Sequence, residues 1–166
     1  MTIRDLTEED LDLVLEIIAK HDDDDVDAAE AYFEELFEDA EADAPDRHFV
    51  AVVDAEVVGV GGVMLDEEEG DAIWWLGWFY VEPAHQHQGL GQALLDRSLE
   101  WAKREGGRKV YVDVSAYESY ENARSFYAKN GFVEEGRLLD YYAPGEDCLL
   151  MGRALKVAPK VALKEK

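Results

Sequence analysis

Residues 72–81, AIWWLGWFYV, are apolar at almost every position, so both faces of a strand built from them would be apolar. A strand can keep such a composition only where layers cover it on both sides, so this run marks the centre of a sheet and demands helices above and below. The helices are legible. Leu11, Val14, Leu15 and Ile18 recur at helical spacing behind Thr7, a residue able to cap, and Ala29, Tyr32, Phe33, Leu36 and Phe37 mark a second helix over about 26–42 that Pro45 ends. Leu90, Leu94, Leu95, Ser98, Trp101 and Ala102 share one stripe of a third helix, stopped by Gly106 and Gly107, and SYENARSFYAKNG reads as a fourth. TIRDL, the hairpin HFVAVV-DAE-VVGVGGVML, KVYVDV, FVEEGRLLDYY and DCLLMGRAL supply the other strands. Gly77, inside the central run, points to a bulge or to a close backbone approach.

The expected order is β-α-α-β-β-β-α-β-α-β-β: a mixed α/β fold of about seven strands and four helices. Its 166 residues suit one domain, read here as 1–156, with 157–166 as a C-terminal tail.

Charge narrows the function. The net charge is −23, and the first 80 residues hold 26 Asp and Glu against 3 Lys and Arg, whereas the rest hold 13 of each. Such a surface excludes non-specific nucleic-acid binding, which needs Lys and Arg on phosphates. It also resembles the surfaces of proteins from salt-accumulating halophiles, where repulsion is screened. No apolar run nears the length of about 20 residues that a membrane helix needs, and the N-terminal stretch carries acids where a signal peptide carries bases, so a cytoplasmic protein with no membrane partner is expected. The one cysteine, Cys148, has no partner for an internal disulfide and reads as a small buried strand residue.

VEPAHQHQGLGQALL runs from the central strand through a proline turn into a helix. His85 and His87 lie two apart with no third ligand at a usual spacing, so no metal site is expected. An anion cradle fits better: backbone N–H groups converge at a helix start, and Gly89 and Gly91 let phosphate oxygens approach without a Cβ in the way. Gln92-Ala93 stands where a P-loop needs Lys-Ser or Lys-Thr, and Leu94 stands where a dinucleotide fingerprint needs Gly. The cradle therefore suits a pyrophosphate of another kind.

Gln86-His87-Gln88-Gly89-Leu90-Gly91 resembles the Gln/Arg-x-x-Gly-x-Gly/Ala motif of the GNAT superfamily of acyl-CoA-dependent N-acyltransferases, and ENARSFYAKNGF resembles that family's second signature, a helix ending in Phe-Tyr-x-Lys-x-Gly-Phe. The resemblance implies acetyl-CoA as cosubstrate and acetyl transfer to a primary amine, whether a protein N-terminus, a lysine or a small amine, in a ternary complex. By position it implies that Val81 offers backbone hydrogen bonds to the pantetheine arm. Gln86, Gln88, Gly89, Gly91 and Gln92 would hold the pyrophosphate, and Tyr127 would lie near the thioester sulfur. The family usually has Asn seven residues before that tyrosine. This chain has Tyr120 there and Asn122 two residues later, and both are candidate cofactor contacts. The hairpin DYYAPGEDCLLM resembles both a branch that acetylates ribosomal-protein N-termini and an uncharacterised branch of the same family.

Acyl transfer to an amine needs a base to neutralise the ammonium, stabilisation of an oxyanion and a proton for the departing thiolate. Tyr127 is the candidate acid. Asp113 and Glu82 are rival bases, Asp113 matching a position where some family members that act on protein N-termini carry a glutamate. In this fold the first two helices border the acceptor, and here they are the acidic ones, which favours a cationic amine. An acyl-CoA-binding or sensor module without turnover would keep the cradle and need neither acid nor base. The sequence leaves the oligomer open between monomer and homodimer.

The charge distribution makes a prediction of its own. Because the 26 acids of the first 80 residues repel one another and the screening length falls to about 3 Å at 1 M salt, the unfolding midpoint should rise from low to molar KCl. A midpoint that stays flat or falls removes the halophile reading.

Overall fold

The computed structural model describes residues 1–38, 45–66 and 70–156. The strands are β1 (Thr2–Asp5), β2 (Arg47–Val53), β3 (Glu56–Leu65), β4 (Ile73–Val81), β5 (Lys109–Ser115), β6 (Val133–Ala143) and β7 (Glu146–Ala154). The helices are α1 (Leu11–Ala19), α2 (Val26–Glu38), α3 (Leu90–Arg104) and α4 (Glu121–Lys129). Element types and order match the sequence reading. Residues 39–42, expected to complete the second helix, and the tail 157–166 lie outside the described residues.

All seven strands form one sheet in the order β1-β2-β3-β4-β5-β7-β6, which puts the apolar run β4 in the middle. Every neighbouring pair is antiparallel except β4 and β5. On one face α1 and α2 pack Val14, Ile18, Ala29 and Phe33 against Val50 and Val60. On the other, α3 and α4 bury Leu95, Leu99 and Tyr127 against Trp74, Val110, Val112 and Met151. A half-turn of 3₁₀ helix, Glu8–Asp10, precedes α1, where the sequence suggested one continuous helix. Asp10 ends that turn and accepts the Thr7 N–H (3.0 Å), the Thr7 hydroxyl (2.8 Å) and a two-pronged Arg4 guanidinium (2.6 and 2.7 Å). These donors, the Arg4 hydrogen bond foremost, hold its carboxyl down at about 2.

The bulge expected near Gly77 is present. Pairing of β3 with β4 slips between Val60↔Tyr80 and Gly62↔Gly77, and Trp78 takes φ 50°. Small residues ease the packing around it. A Cβ on Gly77 would strike the end of Met64, and one on Gly61 would meet the Phe79 ring at 2.5–2.6 Å.

His48 on β2 is the odd group in the core. It is buried, packs edge-on against Tyr32 and Phe33, and neither ring nitrogen has a hydrogen-bond partner. Burial alone pushes it down to about 3, so it is neutral. The unfolded chain takes up this proton below about pH 6.5, while the folded chain refuses it until about pH 3. Its contribution to stability is therefore full above pH 6.5 and is lost progressively as pH falls toward 3. Between about pH 4.5 and 6.5, where most carboxylates stay charged, denaturant midpoints should fall with acidification, and His48→Phe should flatten that slope. An unchanged slope in the folded variant rules His48 out as its source.

Candidate active site

Pairing between β4 and β5 lasts three residues: Ile73↔Lys109, Trp74↔Val110 and Trp75↔Tyr111. Beyond them, β4 runs on to Val81 beside β3 and β5 runs on to Ser115 beside β7, with no rungs between the two. The bulge at Gly77–Trp78 begins just past the last shared rung and bends β4 away. The sheet is therefore open in its middle, between two parallel strands. The Glu82 N–H bonds the Val58 carbonyl of β3 (2.9 Å), so by strand alternation the backbone groups of Val81 face the gap.

The cradle lies at the far end of β4. A 3₁₀ turn over Pro83–His85 leads to His87 at φ 60° and Gly89 at φ 83°, two left-handed positions that turn successive N–H groups toward one side. The first helical bond of α3 runs from the Ala93 N–H to the Gly89 carbonyl (3.0 Å), leaving the N–H groups of Leu90, Gly91 and Gln92 without a helical acceptor. A Cβ on Gly89 would meet nothing within 4 Å, and one on Gly91 would touch Phe126 and Val81 at 3.8–4.0 Å. Gly89 thus borders open space while Gly91 lies in ordinary contact with its neighbours, and free N–H groups at a helix start suit an anion.

The glutamine side chains of the turn are engaged within the protein. Gln86 donates to the Val81 carbonyl (3.3 Å) and Gln88 to the Ala84 carbonyl (3.4 Å). Gln92 reaches Asp96 (2.9 Å) and Asn130 (2.8 Å), tying α3 to the end of α4. These amides brace the loop, and the N–H groups at the helix start stay free. The Val81 carbonyl also contacts His21 Nε2 at 2.7 Å, so its N–H, and not its carbonyl, is the backbone group left to the gap. Asn122 is exposed on the first turn of α4. Tyr120, just before α4, feels the charges of Asp22, Asp25 and Glu146, which together with burial, the larger cause, raise its ionisation.

Tyr127 is buried on α4 against Phe79, Phe126 and Phe132, with ring centres 6.4, 5.4 and 5.6 Å away. Burial first, then the charge of Asp113, push its ionisation far above the ordinary phenol value, so the hydroxyl keeps its proton. The two carboxylates differ in company. Glu82 is in an ion pair with Lys20 (2.8 Å), while Asp113 is exposed on β5 and accepts a hydrogen bond from the Tyr142 hydroxyl (2.8 Å). Tyr142, His21 and the Tyr80–Asp25 bond (2.6 Å) were not singled out in the sequence, because each partner pair is separated by 29 or more residues. The Tyr-Tyr hairpin pattern was the one pointer to Tyr142. Among the described residues no group of three His, Cys, Asp or Glu side chains could hold a metal ion.

The mixed α/β sheet thus parts between two parallel strands beside a glycine-lined helix start whose free N–H groups suit an anion. The sequence profile of the acetyltransferase (GNAT) family matches residues 14–132, and the chain belongs to that family: it is an acetyl-CoA-dependent N-acetyltransferase. Solved structures share the fold. A Desulfovibrio desulfuricans protein described as a GNAT-family acetyltransferase superposes with a TM-score of 0.83 at 24% identity, covering 92% of this chain and 98% of its own. A ribosomal-protein-alanine N-acetyltransferase from Brucella melitensis gives 0.76 at 22% identity, covering 93% and 100%. A Salmonella typhimurium protein described as an acetyltransferase and solved with acetyl-CoA gives 0.75 at 20% identity, covering 95% of each chain.

Gly91 offers the cleaner test of the cradle. Its Cβ position is in ordinary contact distance of its neighbours, whereas any side chain at Gly89 meets an unfavourable φ. Gly91→Val should melt near the wild type yet bind acetyl-CoA at least about tenfold more weakly, because its methyls occupy the mouth between Val81 and Phe126. Unchanged affinity by calorimetry in the folded variant refutes the assignment.

Proposed function

We propose that this protein transfers an acetyl group from acetyl-CoA directly to a cationic primary amine in a ternary complex, with Tyr127 as general acid and Asp113 as general base. The observation that carries the reading is the sheet that parts between β4 and β5 beside a helix start with free N–H groups; Tyr127 lies on the α4 face of that sheet, and its phenol feels the charge of Asp113 on β5. The N–H groups of Leu90, Gly91 and Gln92, with Gly89, hold the pyrophosphate, and the Val81 N–H meets the pantetheine arm. Bound there, the cosubstrate supplies an activated acetyl thioester.

The chain's residues then divide the proton work. Asp113 takes a proton from the acceptor ammonium, directly or through water, because an amine of pKa about 8 to 10.4 is mostly charged near neutrality. Tyr127 gives its proton to the departing thiolate sulfur. Glu82 is the weaker candidate base, since its charge already serves Lys20. Cys148, the one thiol of the chain, is buried beneath Tyr142 and unsuited to carry the acetyl group, which supports direct transfer.

The acceptor side carries the acids. Asp25 accepts from Tyr80, and Asp22, Asp25 and Glu146 surround Tyr120, so a positive acceptor is drawn in and an anionic one repelled. This supports an amine on a protein N-terminus, a lysine or a small polyamine-like molecule over an acidic one. A cytoplasmic protein in a salt-rich cell accords with the charge.

Tyr127→Phe removes one hydroxyl and leaves the ring in its aromatic cluster. The single-turnover rate with any accepted amine should fall about 10²-fold, the low end of general acid catalysis, with acetyl-CoA affinity kept. A wild-type rate with chemistry limiting would show that the tyrosine is core alone. Initial-rate lines that intersect support direct transfer, whereas parallel lines require an acetyl-enzyme.

A further inference from the structure

The proposed base has a partner that comes from the far edge of the sheet. β6 and β7 pair through Arg137↔Leu149 and Leu138↔Cys148, and their next rung is Ala143↔Glu146. Four residues, 139–142, thus stand against Asp147 alone. Asp147 anchors this wide bulge at both oxygens: Oδ1 accepts the Asp140 N–H (2.9 Å) and Oδ2 accepts from Arg137 (3.3 Å). Asp140, itself left-handed at φ 51°, accepts the Gly145 N–H of the hairpin turn at 2.6 Å.

The bulge carries Tyr142 off the line of β6 and across β7 to β5. There its hydroxyl donates to Asp113 Oδ2 at 2.8 Å and lies 3.6 Å from Cys148 Sγ. Tyr141 closes the outer side, its ring edge-on to that of Tyr142 with centres 5.0 Å apart. Burial of the hydroxyl end, then the contact with Cys148 and the charge of Asp113, raise the ionisation of Tyr142 far above a free phenol's. The phenol therefore donates and the carboxylate accepts. An exposed aspartate on a strand samples several rotamers, and a hydrogen bond from a half-exposed side chain with two χ angles, itself in contact with Tyr141 and Cys148, selects one.

We propose that Tyr142 is a positioning residue: carried by the β6 bulge and backed by Cys148, it fixes Asp113 Oδ2 so that Oδ1 is presented to the acceptor amine. The proton passes from the acceptor nitrogen to Oδ1, the nitrogen keeps its electron pair for attack, and the Tyr142 bond to Oδ2 persists throughout. This role rests on Asp113 being the base, and the experiment separates the two.

Tyr142→Phe keeps the ring against Tyr141 and deletes the hydrogen bond. Its single-turnover rate at saturating amine should fall about tenfold, equivalent to about 1.4 kcal/mol, while KM for the amine changes by less than about twofold. Acetyl-CoA affinity by calorimetry and the melting temperature should hold at wild-type values. Asp113→Asn should lose about 10²-fold or more, and adding Tyr142→Phe to it should cost nothing further, because the phenol has only Asp113 to act through. A Tyr142→Phe enzyme at wild-type rate beside a crippled Asp113→Asn overturns the positioning role and spares the base. The same tenfold loss recurring in the Asp113→Asn background overturns it too, since the phenol then acts elsewhere. Asp113→Asn at wild-type rate overturns the base and the positioning role together.

Discussion

Everything at this site depends on two parallel strands ceasing to pair. Three rungs join β4 to β5, and then β4 carries its unsatisfied edge away from β5. A sheet does not part in its middle without cause, because each lost rung leaves backbone N–H and C=O groups that need other partners. Here the bulge at Trp78 supplies the bend, and Gly61 and Gly77 make the bend sterically accessible by clearing Phe79 and Met64. The freed edge is partly satisfied from within, by His21 and Gln86 on the Val81 carbonyl. What stays free is aimed at the gap, which gives an extended arm a place to pair as a strand would.

Charge is arranged along the same opening. Residues 97–130, which hold most of α3, β5 and α4, carry 7 Lys and Arg against 5 Asp and Glu, in a chain of net −23. The cradle at the start of α3 adds the positive end of a helix. Asp22, Asp25 and Glu146 lie at the other end of the proposed reaction path, around Tyr80 and Tyr120. An anionic cosubstrate and a cationic acceptor would thus each meet a field of suitable sign. The acids of α1 and α2 that face solvent need no such role, because an exposed carboxylate is satisfied by water.

The sequence disclosed whatever is local. Helical stripes, strand runs and the proline turn are patterns within about fifteen residues, and they gave the element order and the position of the cradle. Gly77 foretold its bulge because a glycine in a central strand has few other reasons to be there. The side chains of Gln86, Gln88 and Gln92 could not be placed from the motif that marked the loop: a motif names positions, while the rotamers answer to neighbours such as Asn130, 38 residues on. His48 was not singled out at all. Nothing in RHFVAVV distinguishes a buried, unpartnered imidazole from a surface one, since its burial is set by Tyr32 and Phe33 of α2 and by the missing Cβ of Gly62.

The choice between Asp113 and Glu82 shows what tertiary structure adds to chemistry that residue type alone cannot rank. Both are carboxylates near the gap, and sequence makes them equals. Their partners do not. Lys20 meets Glu82 charge for charge, so an arriving ammonium finds the pair already neutral, and a proton placed on Glu82 must give up an ion pair. The Tyr142 phenol is neutral and stays so, and it meets Asp113 as a hydrogen-bond donor rather than as an opposite charge. A base that must first attract a cation and then accept its proton is better served by the second arrangement. The four-residue bulge that delivers that phenol is therefore as much a part of the proposed site as the cradle at the opposite end of the gap.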